Sequence, residues 1–161
     1  MRKLPTHGSC FVCGSEDAPG MGVSWYALDD DSIFAEVTLT SAQQGPPGMA
    51  HGGASAALLD EAMGAAVWLA GYRVVSVNLN ITYHQPVPLG QPFTVAAQVK
   101  EPNGKKITAK GEIRLADGAL AVSGEGLFVQ APQLFQGLET KAGITSRDEA
   151  VKSREARKRY E

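Results

Sequence analysis

The chain has 161 residues, 43% hydrophobic and 20% charged, with a formal net charge of −2. That is enough apolar material for one folded domain with a core of its own. The near-zero charge argues against a nucleic-acid partner or a strongly anionic membrane.

The first residues, MRKLPTHGSC, are basic but have no apolar run behind them, so no secretory signal is expected. Residues 1–19 read as a lead-in holding the two cysteines, Cys10 and Cys13, in a single C-x-x-C. His7 precedes them at the same spacing. One C-x-x-C supplies too few ligands for a closed tetrahedral zinc site, so we expect a free-thiol turn, no metal and a reduced, cytoplasmic setting.

Residues 22–28 (GVSWYAL) and 32–40 (SIFAEVTLT) predict a hairpin turning at Asp29-Asp30-Asp31. Gly45-Pro46-Pro47-Gly48 then breaks the chain. From Gly52 to Gly71 almost every residue is small or aliphatic and none is proline, which predicts a helix buried nearly all round. Asp60 and Glu61 in its middle argue against a membrane span. Residues 73–83 (RVVSVNLNITY) predict a strand with Val75, Val77, Leu79, Ile81 and Tyr83 on one face and Ser76 on the other. Strands over 93–101, 106–115 and 120–129 follow, joined by Pro102-Asn103-Gly104 and Asp117-Gly118 turns. Residues 133–161, densely charged toward the end, read as a flexible or partly helical tail.

The order β-β-α-β-β-β-β predicts an α+β hotdog fold over residues 20–132. One long central helix is wrapped by a mainly antiparallel six-stranded sheet.

Asp60 is the residue to explain. Its helical neighbours Ala56, Ala57, Met63 and Gly64 offer no charge partner, so desolvation should raise its pKa. A carboxylate so placed is a candidate general base or nucleophile, or a carboxylate at a solvated breach in the sheet. Glu61 is its neighbour and competitor, and spacing does not choose between them. Gly52 and Gly53 lie at the helix start, where free N–H groups and the helix dipole favour an anion such as a thioester oxyanion. Asp60 lies eight residues on from Gly52, about 12 Å along a helix rising ~1.5 Å per residue. One carbonyl cannot reach both. A two-fold dimer with antiparallel helices would build each site from Gly52 of one chain and Asp60 of the other.

The stretch QGPPGMAHGGASAALLDEAMG (44–64), followed by VSVNLNITYHQP (75–86), resembles the PaaI-like hotdog acyl-CoA thioesterases. The C-F-V-C-G lead-in is also similar to one seen ahead of this domain in related proteins. The resemblance implies hydrolysis of an acyl-CoA thioester without metal or redox cofactor. It matches Asp60, not Glu61, to the catalytic carboxylate, Gly52 to the oxyanion donor and Ser76 to a residue positioning the water or nucleophile. Gly53, Gln44, Met63, Gly64 and Asn78 are the expected substrate contacts. His51 is a candidate catalytic base by type and a loop-fixing hydrogen bonder by position. A homodimer is expected, with a dimer of dimers as the next order.

Two departures stand out. Many relatives carry Asn or Gln where this chain has Gly45. Ser76 reaches the site only through a bulge or at a dimer edge, because alternation turns it from the apolar face. The alternatives are a hotdog dehydratase or hydratase pairing Asp60 with His51, and a non-catalytic acyl-CoA binding protein.

Overall fold

The computed structural model describes residues 1–15 and 19–136. The charged tail is therefore described only to Gln136, and its expected character beyond that lies outside the described residues. Seven strands form one sheet: β1 (Arg2–Lys3), β2 (Tyr26–Ala27), β3 (Ile33–Val37), β4 (Val74–Tyr83), β5 (Phe93–Asn103), β6 (Lys106–Leu115) and β7 (Leu120–Gln130). Their order is β1-β2-β3-β5-β6-β7-β4, and every pairing is antiparallel. The helix α1 (Gly52–Leu69) links β3 to β4, which lie far apart in the sheet, and so crosses its face. This is the hotdog architecture: one long helix lying in a wrapped antiparallel sheet.

The helix has no broad polar side because it has almost no solvent to face. Leu58, Leu59, Ala62, Met63 and Val67 have no exposed surface. The strands beneath it carry glycine where bulk would lift it. A Cβ on Gly111 would lie 3.0 Å from a Leu59 methyl, and one on Gly126 would lie 2.6 Å from the Phe128 ring and 3.3 Å from the Met63 methyl. The half-buried or exposed residues Gly53, Ala57, Asp60, Gly64 and Trp68 recur at helical spacing and form one open stripe.

Two expectations are corrected. The six expected strands are present, but Arg2–Lys3 adds a seventh by pairing with Tyr26–Ala27. The strand expected over 22–28 shortens to two residues because its neighbours bond to the lead-in instead. Val23 N–H donates to Val12 O at 2.9 Å, and Leu4 N–H donates to Trp25 O at 2.8 Å. Leu4, Val12 and Cys13 are buried in the same core as the helix.

The second correction is on β4. Ser76 pairs with Phe128 and Asn78 with Leu127, so Val77 is an extra residue, a β-bulge. The bulge reverses parity. Val74 and Ser76 face the helix before it, and Leu79, Ile81 and Tyr83 face the helix after it, since directly opposed residues share a face. The turns behave as read: Gly104 and Gly118 take φ of +60° and +85° at the tips of the β5–β6 and β6–β7 hairpins.

Leu59→Ala should destabilise the fold by about 2–5 kcal/mol through the cavity it leaves. Gly126→Val should cost about 1–3 kcal/mol by overpacking. Urea denaturation followed by circular dichroism measures both; wild-type midpoints would contradict this account of the seating of the helix.

Candidate active site

A cavity of about 330 Å³ opens beside the middle of α1. Asp60, Glu61, Ser76 and His7 supply its polar wall, and Trp68, Phe128 and Phe135 its aromatic one. Trp68 meets Phe135 edge-on, with ring centres 4.9 Å apart, and the Arg73 guanidinium lies 5.5 Å from the Trp68 ring centre. The bulge at Val77 is what turns Ser76 toward Asp60 across this space.

Asp60 is half-buried, and its Oδ1 is fully buried with no hydrogen-bond partner among the described residues. Burial pushes its carboxyl above the ordinary value. The Ser76 hydroxyl, hydrogen-bonding to the ionised form, pulls it partly back, and the adjacent Glu61 carboxylate adds to the rise. Glu61 lines the same cavity but is engaged by the lead-in. Its Oε1 accepts from Cys13 Sγ at 3.0 Å and lies 3.7 Å from His7 Nδ1, and its Oε2 lies 3.9 Å from Cys10 Sγ. The two adjacent acids thus differ in their partners: Glu61 meets the lead-in, whereas Asp60 meets Ser76 and keeps a buried oxygen without a hydrogen-bond partner.

The helix start is built with equal economy. His51 is the N-cap, and its Nδ1 accepts from Gly53 N–H at 2.9 Å. That bond requires an unprotonated Nδ1. His51 C=O accepts from Ala54 N–H at 2.9 Å. Gly52 N–H makes no hydrogen bond among the described residues, so it is the donor the cap leaves open. Tyr83 Oη donates to Gly52 C=O at 2.8 Å, which fixes that residue from the sheet side. Tyr83 is not among the site residues expected from the sequence, although the N-x-x-Y spacing carried the signal.

The remaining expected contacts fall in different places. Gly64 lines the cavity. Met63 is wholly buried beneath the helix, near Gly111 and Gly126, and is not in the cavity wall. Gln44 Oε1 accepts from Gly48 N–H at 3.2 Å and closes the Gly-Pro-Pro-Gly turn. Asn78 is exposed on the outward face of β4, away from the Asp60 cavity of its own chain. Gly45 has a steric reason: a Cβ there would lie 2.9 Å from His51 Cα, so an Asn or Gln would displace the helix cap. Asp60 and Gly52 lie on one continuous helix, and the structure does not bring them together within a chain.

A family model for the thioesterase superfamily matches residues 47–122. Over those residues the chain resembles the thioesterase superfamily, and its architecture is the hotdog fold. Among curated proteins, the acyl-coenzyme A thioesterase THEM4 of Bos taurus is 35% identical over 74% of this chain and 50% of its own length. THEM4 of Xenopus laevis is 36% identical over 57% of this chain and 39% of its own length. The chain therefore spans half or less of the length of these relatives. A crystal structure of a thioesterase superfamily protein is 44% identical with a TM-score of 0.72, covering 75% of this chain and 60% of that one. The Escherichia coli PaaI protein, 21% identical with a TM-score of 0.64 over 69% of this chain and 80% of its own, shares the fold.

His51→Ala should destabilise the protein by about 0.5–2 kcal/mol through loss of the cap, whereas His51→Asn should recover most of that. Denaturation midpoints test this; equal losses in both variants would show that the Nδ1 contact is not what stabilises the helix start.

Proposed function

We propose that this chain is an acyl-CoA thioesterase, hydrolysing a thioester to free acid and CoA, and that it works as a homodimer. The observation that carries the reading is Asp60 itself, which lines a cavity that Ser76 shares and whose Oδ1 is buried without a hydrogen-bond partner. A half-buried carboxylate at such a cavity can take a proton from a bound water, or attack the carbonyl itself. In the first route the water oxygen bonds to the thioester carbon and its proton goes to Asp60. The carbonyl becomes an oxyanion, the C–S bond then breaks, and the CoA sulfur leaves with the proton. Ser76 orients the carboxylate or the water. In the second route Asp60 attacks the carbonyl carbon, the C–S bond breaks and CoA leaves as the thiolate. Water then cleaves the acyl anhydride, which frees the acid and restores the Asp60 carboxylate, and the water's proton goes to the CoA sulfur.

The oxyanion needs an N–H that its own chain does not spend, and Gly52 N–H is such a donor. It stands about 12 Å up the same helix from Asp60, so the complete site takes Gly52 from the partner subunit. Two features support a dimer that brings them together. β4 is an edge strand with unpaired backbone and with Val77 and Tyr83 about half exposed. The open stripe of α1 carries Gly53, Ala57 and Gly64, small residues that would admit a second helix closely along that part of its length. Two β4 strands pairing across a two-fold axis would set the helices antiparallel; a dimer of dimers could form on a separate face. Gly53, Gly64, Gln44 and Asn78 then border the acyl-CoA path, Asn78 from the dimer edge. Residues 20–132 are the catalytic unit. No described helix is long and apolar enough to cross a membrane, and the unbridged Cys10 and Cys13 fit a reduced cytoplasmic setting.

The dehydratase reading loses ground because His51 Nδ1 is committed to the cap. The acyl-CoA binding reading predicts affinity without turnover, and mutants separate it from hydrolysis. Asp60→Asn should lower kcat by about 10²–10⁴-fold with little change in KM. Gly52→Pro removes the N–H at a helix position where proline is well tolerated, its Cβ lying 3.2 Å from Tyr83 Oη, and should lower kcat by about 10²–10³-fold. CoA release from a panel of acyl-CoAs, followed by mass spectrometry rather than a thiol dye, is the assay. Unchanged turnover in Asp60→Asn would refute the site, and CoA binding without release from any thioester would refute the activity.

A further inference from the structure

The lead-in does more than add a strand. His7, Cys10, Cys13 and Glu61 each turn one ligand atom into a common space, and those atoms all lie within 4.8 Å of one another. Three come from a turn near the N-terminus, and the fourth comes from the middle of α1. The separations can be compared with chemistry. With Zn–S near 2.3 Å and Zn–N or Zn–O near 2.0–2.2 Å, a tetrahedral ion spaces its ligands by about 3.4–3.8 Å. Here Cys13 Sγ lies 3.4 Å from His7 Nδ1 and 3.0 Å from Glu61 Oε1. His7 Nδ1 lies 3.7 Å from Glu61 Oε1, and Cys10 Sγ lies 3.9 Å from Glu61 Oε2. His7 Nδ1, Cys13 Sγ and Glu61 Oε1 are thus 3.0–3.7 Å apart, Cys10 Sγ approaches the second carboxylate oxygen, and no ligand pair exceeds 4.8 Å, so a bound ion would need to draw the set together only modestly.

The turn that holds them is built around sulfur. Cys13 N–H donates to Cys10 Sγ at 3.5 Å. Cys10 N–H donates to His7 O, and Gly14 N–H to Cys10 O, both at 2.9 Å. A Cβ on Gly14 would collide with that Cys10 carbonyl, so the loop is closed too tightly for any other residue. Cys13 is 1% exposed, while the His7 and Glu61 side chains are 22% and 19% exposed. The site is thus shielded but within reach of an ion from solvent.

We propose that His7, Cys10, Cys13 and Glu61 bind one borderline-soft divalent cation, with zinc the fitting ion for two thiolates, an imidazole and a carboxylate. Binding replaces the thiol protons: two are released to solvent as the two Zn–S bonds form, and no oxidant or reductant is involved. Four protein ligands leave no open position, so the ion is a structural staple. It clamps the lead-in onto α1 next to Asp60, holds His7 in the cavity wall and fixes Glu61 away from the reacting groups. The inference does not depend on the hydrolase reading, because metal content is measured without turnover.

The test uses the full chain. Protein grown with zinc and purified without chelator should carry one zinc per chain by plasma mass spectrometry. After stripping under reducing conditions, Co²⁺ alone should rebind in one equivalent and give sulfur-to-cobalt charge-transfer bands with the visible bands of tetrahedral cobalt. Cys10→Ser should weaken cobalt binding by about a hundredfold or more, and the isosteric Glu61→Gln by about tenfold or more while keeping the charge-transfer bands. Circular dichroism confirms that each variant is folded. The proposal is overturned if reduced wild-type protein takes up less than about a tenth of an equivalent of either metal. It is equally overturned if folded Cys10→Ser binds as tightly as wild type, or if the isolated protein holds a Cys10–Cys13 disulfide and binds no metal once reduced.

Discussion

Two carboxylates side by side on a helix with almost no solvent to face are the constraint from which the site follows. Burying one unpaired carboxylate is costly, and two in sequence repel each other as well. The fold deals with them separately. Glu61 is met by His7, Cys10 and Cys13 from the lead-in, which is why that segment bonds into the sheet and the core. Asp60 is met only in part, by Ser76, and one of its oxygens is left without a partner beside a cavity. The second arrangement has a stability cost and is chemically useful.

The same division appears at the start of the helix. A helix N-terminus has several N–H groups to satisfy. Here the His51 ring takes Gly53 and its carbonyl takes Ala54, while Gly52 is held by Tyr83 through its carbonyl and keeps its N–H free. Gly45 belongs to this design too, since any side chain there would press on His51.

The architecture was legible in the sequence because its signals are local. The uncharged run 52–71, the alternation in the later strands and the Asn-Gly and Asp-Gly turns each act within a few residues. What escaped depends on contacts between distant segments. The bulge at Val77 leaves no composition signal; it shows only in the register against β7, and it reverses which residues of β4 face the helix. The fourth partner of His7, Cys10 and Cys13 lies 48 residues beyond Cys13, so counting cysteines could not find it. Met63, an expected substrate contact, packs into the core against the glycines of β6 and β7. Asp60 against Glu61 was a tie on the helix alone. The two side chains meet different surroundings, and that difference supports Asp60 in the proposed role.

The central claim is that one active site takes Asp60 from one subunit and Gly52 from the other. Co-expression of two chains, one carrying Asp60→Asn and the other Gly52→Pro, tests it directly. In the mixed dimer one site pairs the intact Gly52 with the intact Asp60, and the other site has lost both. Random assembly makes about half the dimers mixed, so the co-expressed pool should recover about a quarter of wild-type turnover although each parent is nearly inactive. Sites built within single chains would give no recovery above the two parents, and that result would contradict the account.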